Sequence, residues 1–136
     1  MQKSIDKIYY AAIYLRLSKE DGDLSSGEKK ESNSIANQRK LIEDYLSRNP
    51  EITLVQEFCD DGYTGANFDR PDFQRMMEQV KTGKINCIIV KDLSRFGRDY
   101  IDSGRYIEKI FPSLGIRFIA INDNYDSAQS QQVGNE

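Results

Sequence analysis

The segment Tyr14-Leu15-Arg16-Leu17-Ser18 closes an apolar run and sets a hydroxyl two residues beyond a guanidinium. Alternate side chains of an extended strand share a face, so Tyr14, Arg16 and Ser18 point the same way. An arginine at the end of a buried strand is costly unless a partner, often an anion, holds it. A serine two residues on would meet the same ligand. The plainer alternative is an Arg16–carboxylate pair with Ser18 capping a turn. A second group lies in Val90-Lys91-Asp92-Leu93-Ser94-Arg95-Phe96-Gly97-Arg98-Asp99. One helical turn brings Arg95 and Arg98 to a common face, and Gly97 between them lets a ligand or backbone come close. A solvated helix start with Arg98 paired to Asp102 is the competing explanation. Cations are unfavourable beside a helix N-terminus, where anions are favoured, so two arginines there point to phosphate binding. Arg70, in the stretch from Tyr63 to Pro71, and Gln38 are weaker candidates, because Asp-Arg-Pro is also an ordinary helix entry and most helical glutamines are merely exposed.

Together these residues offer one hydroxyl and up to four arginines. Arginine matches phosphate geometry with paired donors and stays charged at any relevant pH. Phosphoryl transfer needs positioning and charge neutralisation more than an elaborate proton relay. A serine among arginines can therefore attack a phosphodiester without a metal, each well-placed donor contributing about 3 kcal/mol to the transition state. Histidine is absent, which removes imidazole bases and Ser-His-Asp triads.

These residues must be positioned by a regular scaffold. Ile8 to Leu17 reads as a buried central strand, and the polar stretch Asp21 to Ser34 as a mobile loop. Ser32 or Ser34 can cap a helix through about Asn49, with Ile35, Leu41, Ile42, Tyr45 and Leu46 as its apolar stripe. A second strand spans Ile52 to Phe58, and a loop begins at Cys59. Asp69 is the expected N-cap of the next helix, with Pro71 in its first turn and Phe73, Met76, Met77 and Val80 as its buried face. Ile85 to Val90 is a third strand. Lys91 to Asp99 is a strand-to-helix loop, followed by a helix marked by Ile101, Gly104, Ile107, Ile110 and Phe111 that ends or kinks near Pro112. Ile116 to Ile121 is a fourth strand, and from Asn122 onward the chain reads as a loose tail. The alternation predicts an α/β fold with a mainly parallel sheet of four or five strands flanked by helices. In such sheets functional residues gather beyond the carboxyl ends of the strands, and here the motifs follow strands.

Length and composition agree with one globular domain: 136 residues, 38% hydrophobic and 30% charged. No apolar run has the length of a membrane span, so no membrane partner is expected. The apolar start runs into Arg16 with no small-residue cleavage site, unlike a signal peptide. Cys59 and Cys87 have no cysteine or histidine partner at metal-ligand spacing. Neither a metal nor a cofactor is expected, and a reducing cytoplasm is the expected location. A net charge of −3 argues mildly against nucleic acid, since dedicated DNA-binding domains are usually basic.

From about Ile8 to Asp126, the motifs in order resemble the serine recombinases of resolvase/invertase type. Tyr-Leu-Arg-Leu-Ser resembles the strand that carries the family's nucleophile, which implies Ser18 in that role, Arg16 beside the scissile phosphate and Tyr14 in support. Ser-Ile-Ala-Asn-Gln at Ser34 to Gln38 resembles the segment with an active-site glutamine, implying Gln38. The stretch from Thr64 to Pro71 implies Arg70. Val-Lys-Asp-Leu-Ser-Arg-Phe-Gly-Arg-Asp, the most specific motif, implies Arg95 and Arg98. Small resolvases have an aspartate where this chain has Ser94, and Ser94 resembles the variant in large, transposon-type members. The long gap between Ser18 and Gln38 also suits the large class. The position of a family lysine in the second helix is occupied by Gln79.

The resemblance implies site-specific DNA recombination through a covalent 5′-phosphoserine link, with DNA sites as partner and assembly to dimers and tetramers in a longer protein. It also implies a catalytic domain over residues 1–126, a loose polar tail over 127–136, and downstream assembly and DNA-binding regions beyond them. Two other readings compete. One is a receiver-like, phosphate-binding regulatory module, although receivers carry clustered acids where Arg16 and Ser18 stand. The other is an inactive assembly or DNA-binding module, which would have no reason to keep Ser18 and the four arginines.

Overall fold

The computed structural model describes residues 8–17, 34–61, 70–97 and 100–128. Of the loop expected from Asp21 to Ser34, residues 21–33 lie outside the described residues. Strand β1 (Tyr9–Leu17) is buried without interruption from Ala11 to Arg16, as its unbroken apolar run requires. Helix α1 (Ile35–Ser47) starts at Ser34, whose side chain accepts the Asn37 N–H. Then come β2 (Ile52–Asp61), α2 (Pro71–Lys81), β3 (Cys87–Val90) and the one-turn helix α3 (Leu93–Phe96). Helix α4 (Tyr100–Arg105) runs through a π-helical turn (Tyr106–Ile110) into α5 (Phe111–Leu114), and β4 (Arg117–Ala120), a 3-10 turn (Ile121–Asp123) and β5 (Tyr125–Asp126) follow.

The sheet order is β2-β1-β3-β4-β5. The first four strands are parallel, and β5 runs antiparallel to β4. Alternation along β1 sends Ala12 and Tyr14 into one core with Phe58, Phe73, Met76, Phe96, Phe111 and Phe118. Ala11, Ile13 and Leu15 enter the other, with Ile42 of α1 and Ile89. The first core is largely aromatic, with Phe96 edge-on to Phe73 and Phe118 at centroid distances of 5.7 and 5.0 Å. Such pairs contribute about 0.5–1.5 kcal/mol beyond their buried area.

Three local expectations change. The kink foreseen at Pro112 is a π-turn. Proline lacks an N–H and its ring crowds the carbonyl four residues earlier; here the Phe111 N–H reaches back to the Tyr106 carbonyl, widening the turn. Strand β2 continues through Cys59, Asp60 and Asp61, which were read as loop. It is an edge strand with an extra residue, Val55, between the pairs Leu54–Ala11 and Gln56–Ala12. Finally, the chain from Asn122 is not loose up to Ala128. Arg117 donates twice to the Asp126 carboxylate, at 2.9 and 2.6 Å, and lies 4.7 Å from the centre of the Tyr9 ring. The Phe118 N–H donates to Ser127 Oγ at 2.9 Å, and Asp126 Oδ1 accepts the Ala128 N–H at 3.1 Å. Ser127 and Ala128 are already helical, whereas residues 129–136 of the expected tail lie outside the described residues.

Candidate active site

Strand β1 pairs with β2 as far as Leu17 but with β3 only over Ala11 to Ile13. The two strands part beyond Ile13, at the point where the chain order reverses, which is where ligands bind in open parallel sheets. The backbone groups of Arg16 that β3 leaves unpaired are met by side chains. Gln38, buried on α1, accepts the Arg16 N–H at 3.2 Å through Oε1 and donates to the Arg16 carbonyl at 2.9 Å through Nε2. Its amide thus imitates a neighbouring strand.

Arg16 and Arg95 are joined more closely still. Arg16 donates through Nε to the Arg95 carbonyl at 3.0 Å and through Nη2 to the Ser94 carbonyl at 2.6 Å. Arg95 donates through Nη1 to the Arg16 carbonyl at 2.9 Å. The motif after β3 supplies this arrangement from a capped turn. Asp92 accepts the Arg95 N–H at 3.0 Å and the Ser94 hydroxyl at 2.8 Å, while Asp123 accepts the Leu93 N–H at 2.7 Å. Ser94 therefore contributes its carbonyl to Arg16 and its hydroxyl to the cap.

Arg70 enters from the start of α2. It donates to the Tyr14 hydroxyl at 3.0 Å and to the Phe96 carbonyl at 2.9 Å, and its guanidinium lies 5.7 and 5.6 Å from the Tyr14 and Phe73 ring centres. Tyr14 in turn donates to Asp60 Oδ2 at 2.8 Å. Burial, reinforced by the Asp60 carboxylate, pushes the Tyr14 phenol well above its ordinary range, so it stays protonated. Asp69 was the expected cap of α2, but Arg70 occupies the N-cap position and makes no side-chain cap bond. The capping acceptor comes from β2: Asp60 takes the N–H groups of Asp72 and Phe73, both at 3.0 Å. Asp72 Oδ2 accepts the Cys59 N–H at 2.9 Å in return.

Arg16, Arg70 and Arg95 are buried, at 0%, 0% and 2% exposure. Hydrogen bonds to carbonyls fix a guanidinium's direction without removing its charge. The structure thus brings together Tyr14, Arg16, Gln38, Arg70, Ser94 and Arg95. Ser18 and Arg98 lie outside the described residues; in the chain they directly follow Leu17, the last residue of β1, and Gly97, which follows α3. Sequence reasoning missed Asp60 and Asp123. The signal for Asp60 was an acid at the end of a strand ahead of a helix whose N-cap position holds an arginine. Asp123 offered none, because its partner is a backbone N–H thirty positions away.

Comparison with known proteins decides the family. The resolvase N-terminal domain matches residues 11–134. The chain belongs to the resolvase family. This resolvase-family domain is similar in structure to the N-terminal catalytic domain of TP901-1 integrase, with a TM-score of 0.74 at 24% identity over 88% of this chain and 82% of that one. It is similar to a resolvase family site-specific recombinase from Streptococcus pneumoniae, with a TM-score of 0.66 at 27% identity over 88% and 76% of the two chains. A serine recombinase from Sulfolobus solfataricus gives a TM-score of 0.58 at 20% identity over 85% and 69%. No curated protein matches the chain. The five-stranded, mostly parallel sheet is that of serine recombinase catalytic domains.

Proposed function

We propose that this domain cleaves and rejoins DNA with Ser18 as nucleophile, Arg16, Arg70, Arg95 and Arg98 binding the scissile phosphate, and Gln38, Tyr14 and Ser94 holding those groups in place. DNA recombination by a serine recombinase is the reaction of the family to which the chain belongs, and the receiver-like alternative is not favoured. One observation supports the assignment of residues above the others: Arg16 and Arg95 are locked together at the end of β1, two residues before Ser18.

In the proposed step Ser18 Oγ attacks phosphorus and gives up its proton. The bond between phosphorus and the 3′ oxygen breaks, and that oxygen leaves as a hydroxyl after taking a proton. The 5′ phosphate remains as an ester of Ser18. Rejoining reverses the step on a new 3′ hydroxyl, and because the ester conserves the bond energy no nucleotide cofactor is required. Buried guanidinium groups oriented in advance suit a transition state whose charge is spread over phosphate oxygens.

DNA binding and self-association follow from the family in general; assembly into dimers and tetramers on specific sites is proposed for a longer protein. Ser94 and the spacing from Ser18 to Gln38 support the large, transposon-type class. Among the described residues no helix is long and apolar enough to cross a membrane, and action on DNA in the cytoplasm is part of the proposal. The test is to trap the full-length protein on a nicked suicide duplex and map the DNA-linked peptide. The adduct is expected on Ser18 and absent from Ser18→Ala, which still binds DNA. An adduct on another residue, or cleavage by Ser18→Ala, overturns the assignment.

A further inference from the structure

We propose that Asp123 is a positioning residue for strand cleavage, acting through the Leu93 N–H on the backbone that seats Arg16. The inference rests on the reading of Arg16 as a phosphate-binding residue.

Helix α3 is one turn long. A single turn fixes several dihedrals for few hydrogen bonds and does not hold itself, and its leading N–H groups need outside acceptors. Asp92 supplies one, to Arg95. Asp123 supplies another, to Leu93 at 2.7 Å, from the 3-10 turn after β4. Next to it the Asn122 N–H donates to the Lys91 carbonyl at 2.8 Å. The stretch 91–93 is therefore tied to 122–123 at both ends.

The carbonyls of Ser94 and Arg95, one and two residues beyond Leu93, are the acceptors of the Arg16 guanidinium. Displacing Leu93 displaces those carbonyls, and with them Arg16. Asp123 is exposed and makes no contribution to either apolar core, so its effect on cleavage runs through this hydrogen bond. A misplacement of reacting groups by about 1 Å can cost about a hundredfold in rate, which gives one exposed carboxylate leverage over the chemistry.

The experiment compares Asp123→Ala with Asp123→Asn, whose amide oxygen can still accept the Leu93 N–H. Adduct formation on a nicked suicide duplex and duplex affinity are measured in the full-length protein. The Leu93 amide and the Arg16 Nε–H are followed by NMR in the 136-residue chain. For Asp123→Ala we expect duplex affinity within about twofold of wild type, adduct formation slowed about tenfold or more, faster Leu93 exchange and a shifted Arg16 resonance. Asp123→Asn should return the rate to within about threefold of wild type. Cleavage by Asp123→Ala at the wild-type rate overturns the proposal. So does Asp123→Asn as slow as Asp123→Ala while its Leu93 amide stays protected. Should Asp123→Ala fail to fold, Asp123→Leu, similar in size to aspartate and without an acceptor, takes its place with the same expected and overturning results. If wild type itself forms no adduct, the functional reading has failed; an Arg16 resonance unmoved in Asp123→Ala would overturn the positioning role separately.

Discussion

The side chain of Arg16 donates to the backbone carbonyl of Arg95, and the side chain of Arg95 donates to the backbone carbonyl of Arg16. Each residue is at once the ligand and the scaffold of the other, although 78 positions separate Arg16 even from Ser94, its other acceptor. Removing either side chain frees the backbone that carries the other. Arg16→Ala and Arg95→Ala should therefore be non-additive, the double variant losing less stability than the two singles added together, with a coupling of about 0.5–3 kcal/mol. Urea denaturation of the four proteins measures this, and additivity within about 0.3 kcal/mol would deny the mutual dependence.

Gln38 bonds the Arg16 backbone with both ends of its amide, and only an amide can do so. Gln38→Glu keeps shape and volume but turns an oxygen toward the Arg16 carbonyl that previously accepted a hydrogen bond. The cost should be about 1–3 kcal/mol, visible as a lower denaturation midpoint. In the full-length protein adduct formation should fall as well. A variant as stable and as active as wild type would mean that the β1 edge beyond Ile13 needs no partner.

Tyr14→Phe retains the ring that packs edge-on against Phe73 at 5.8 Å and removes only the hydroxyl shared by Asp60 and Arg70. We expect a loss of about 1–2 kcal/mol and slower cleavage with little change in DNA affinity. Because the phenol is held protonated, this hydroxyl should not add a titration to the neutral range of the cleavage profile. A wild-type inflection near neutrality that vanishes in Tyr14→Phe would contradict its role as a fixed donor.

Glu57 and Arg39 form a paired contact at the exposed edge of β2, at 2.8 and 2.7 Å. Hydrogen bonding to Arg39 holds the Glu57 carboxyl below its ordinary value of 4.5. A carboxyl lowered by folding adds stability above its unfolded value and loses it as pH falls through the folded one. Water screens the pair, so Glu57→Gln should cost no more than about 1 kcal/mol at pH 7. The difference should close on acidification to about pH 2. A difference that persists there would assign the effect to packing.

Strand and helix types were legible because each buried element carries its own apolar period: β1 as a continuous run, α2 as Phe73, Met76, Met77 and Val80. The site arginines stood out because a guanidinium beside a buried strand end needs an explanation. What stayed hidden was long-range polar supply. Asp60 caps a helix that begins eleven residues later, and Gln38 serves a strand edge that is open only because β3 turns away. Neither relationship leaves a periodic trace. Ser127 and Asp126 read as tail for a related reason: their partners, Phe118 and Arg117, lie on the preceding strand, and a two-residue strand is too short to show alternation.

The Arg117–Asp126 pair also bears on how such a domain can be dissected. Arg117 has a side-chain exposure of 12% and Asp126 of 7%, so a cut after β4, where the apolar pattern ends, would remove the nearer of the cation's two carboxylates and leave it only Glu51 at 3.9 Å. Breaking a buried pair by removing one partner typically costs about 3–5 kcal/mol, a large share of what holds a domain of this size together. Fusions, truncations and split versions should therefore place their junction beyond Ala128. Chimeras that exchange whatever follows should carry Asp126 and Ser127 with the upstream half, treating them as the final course of the sheet.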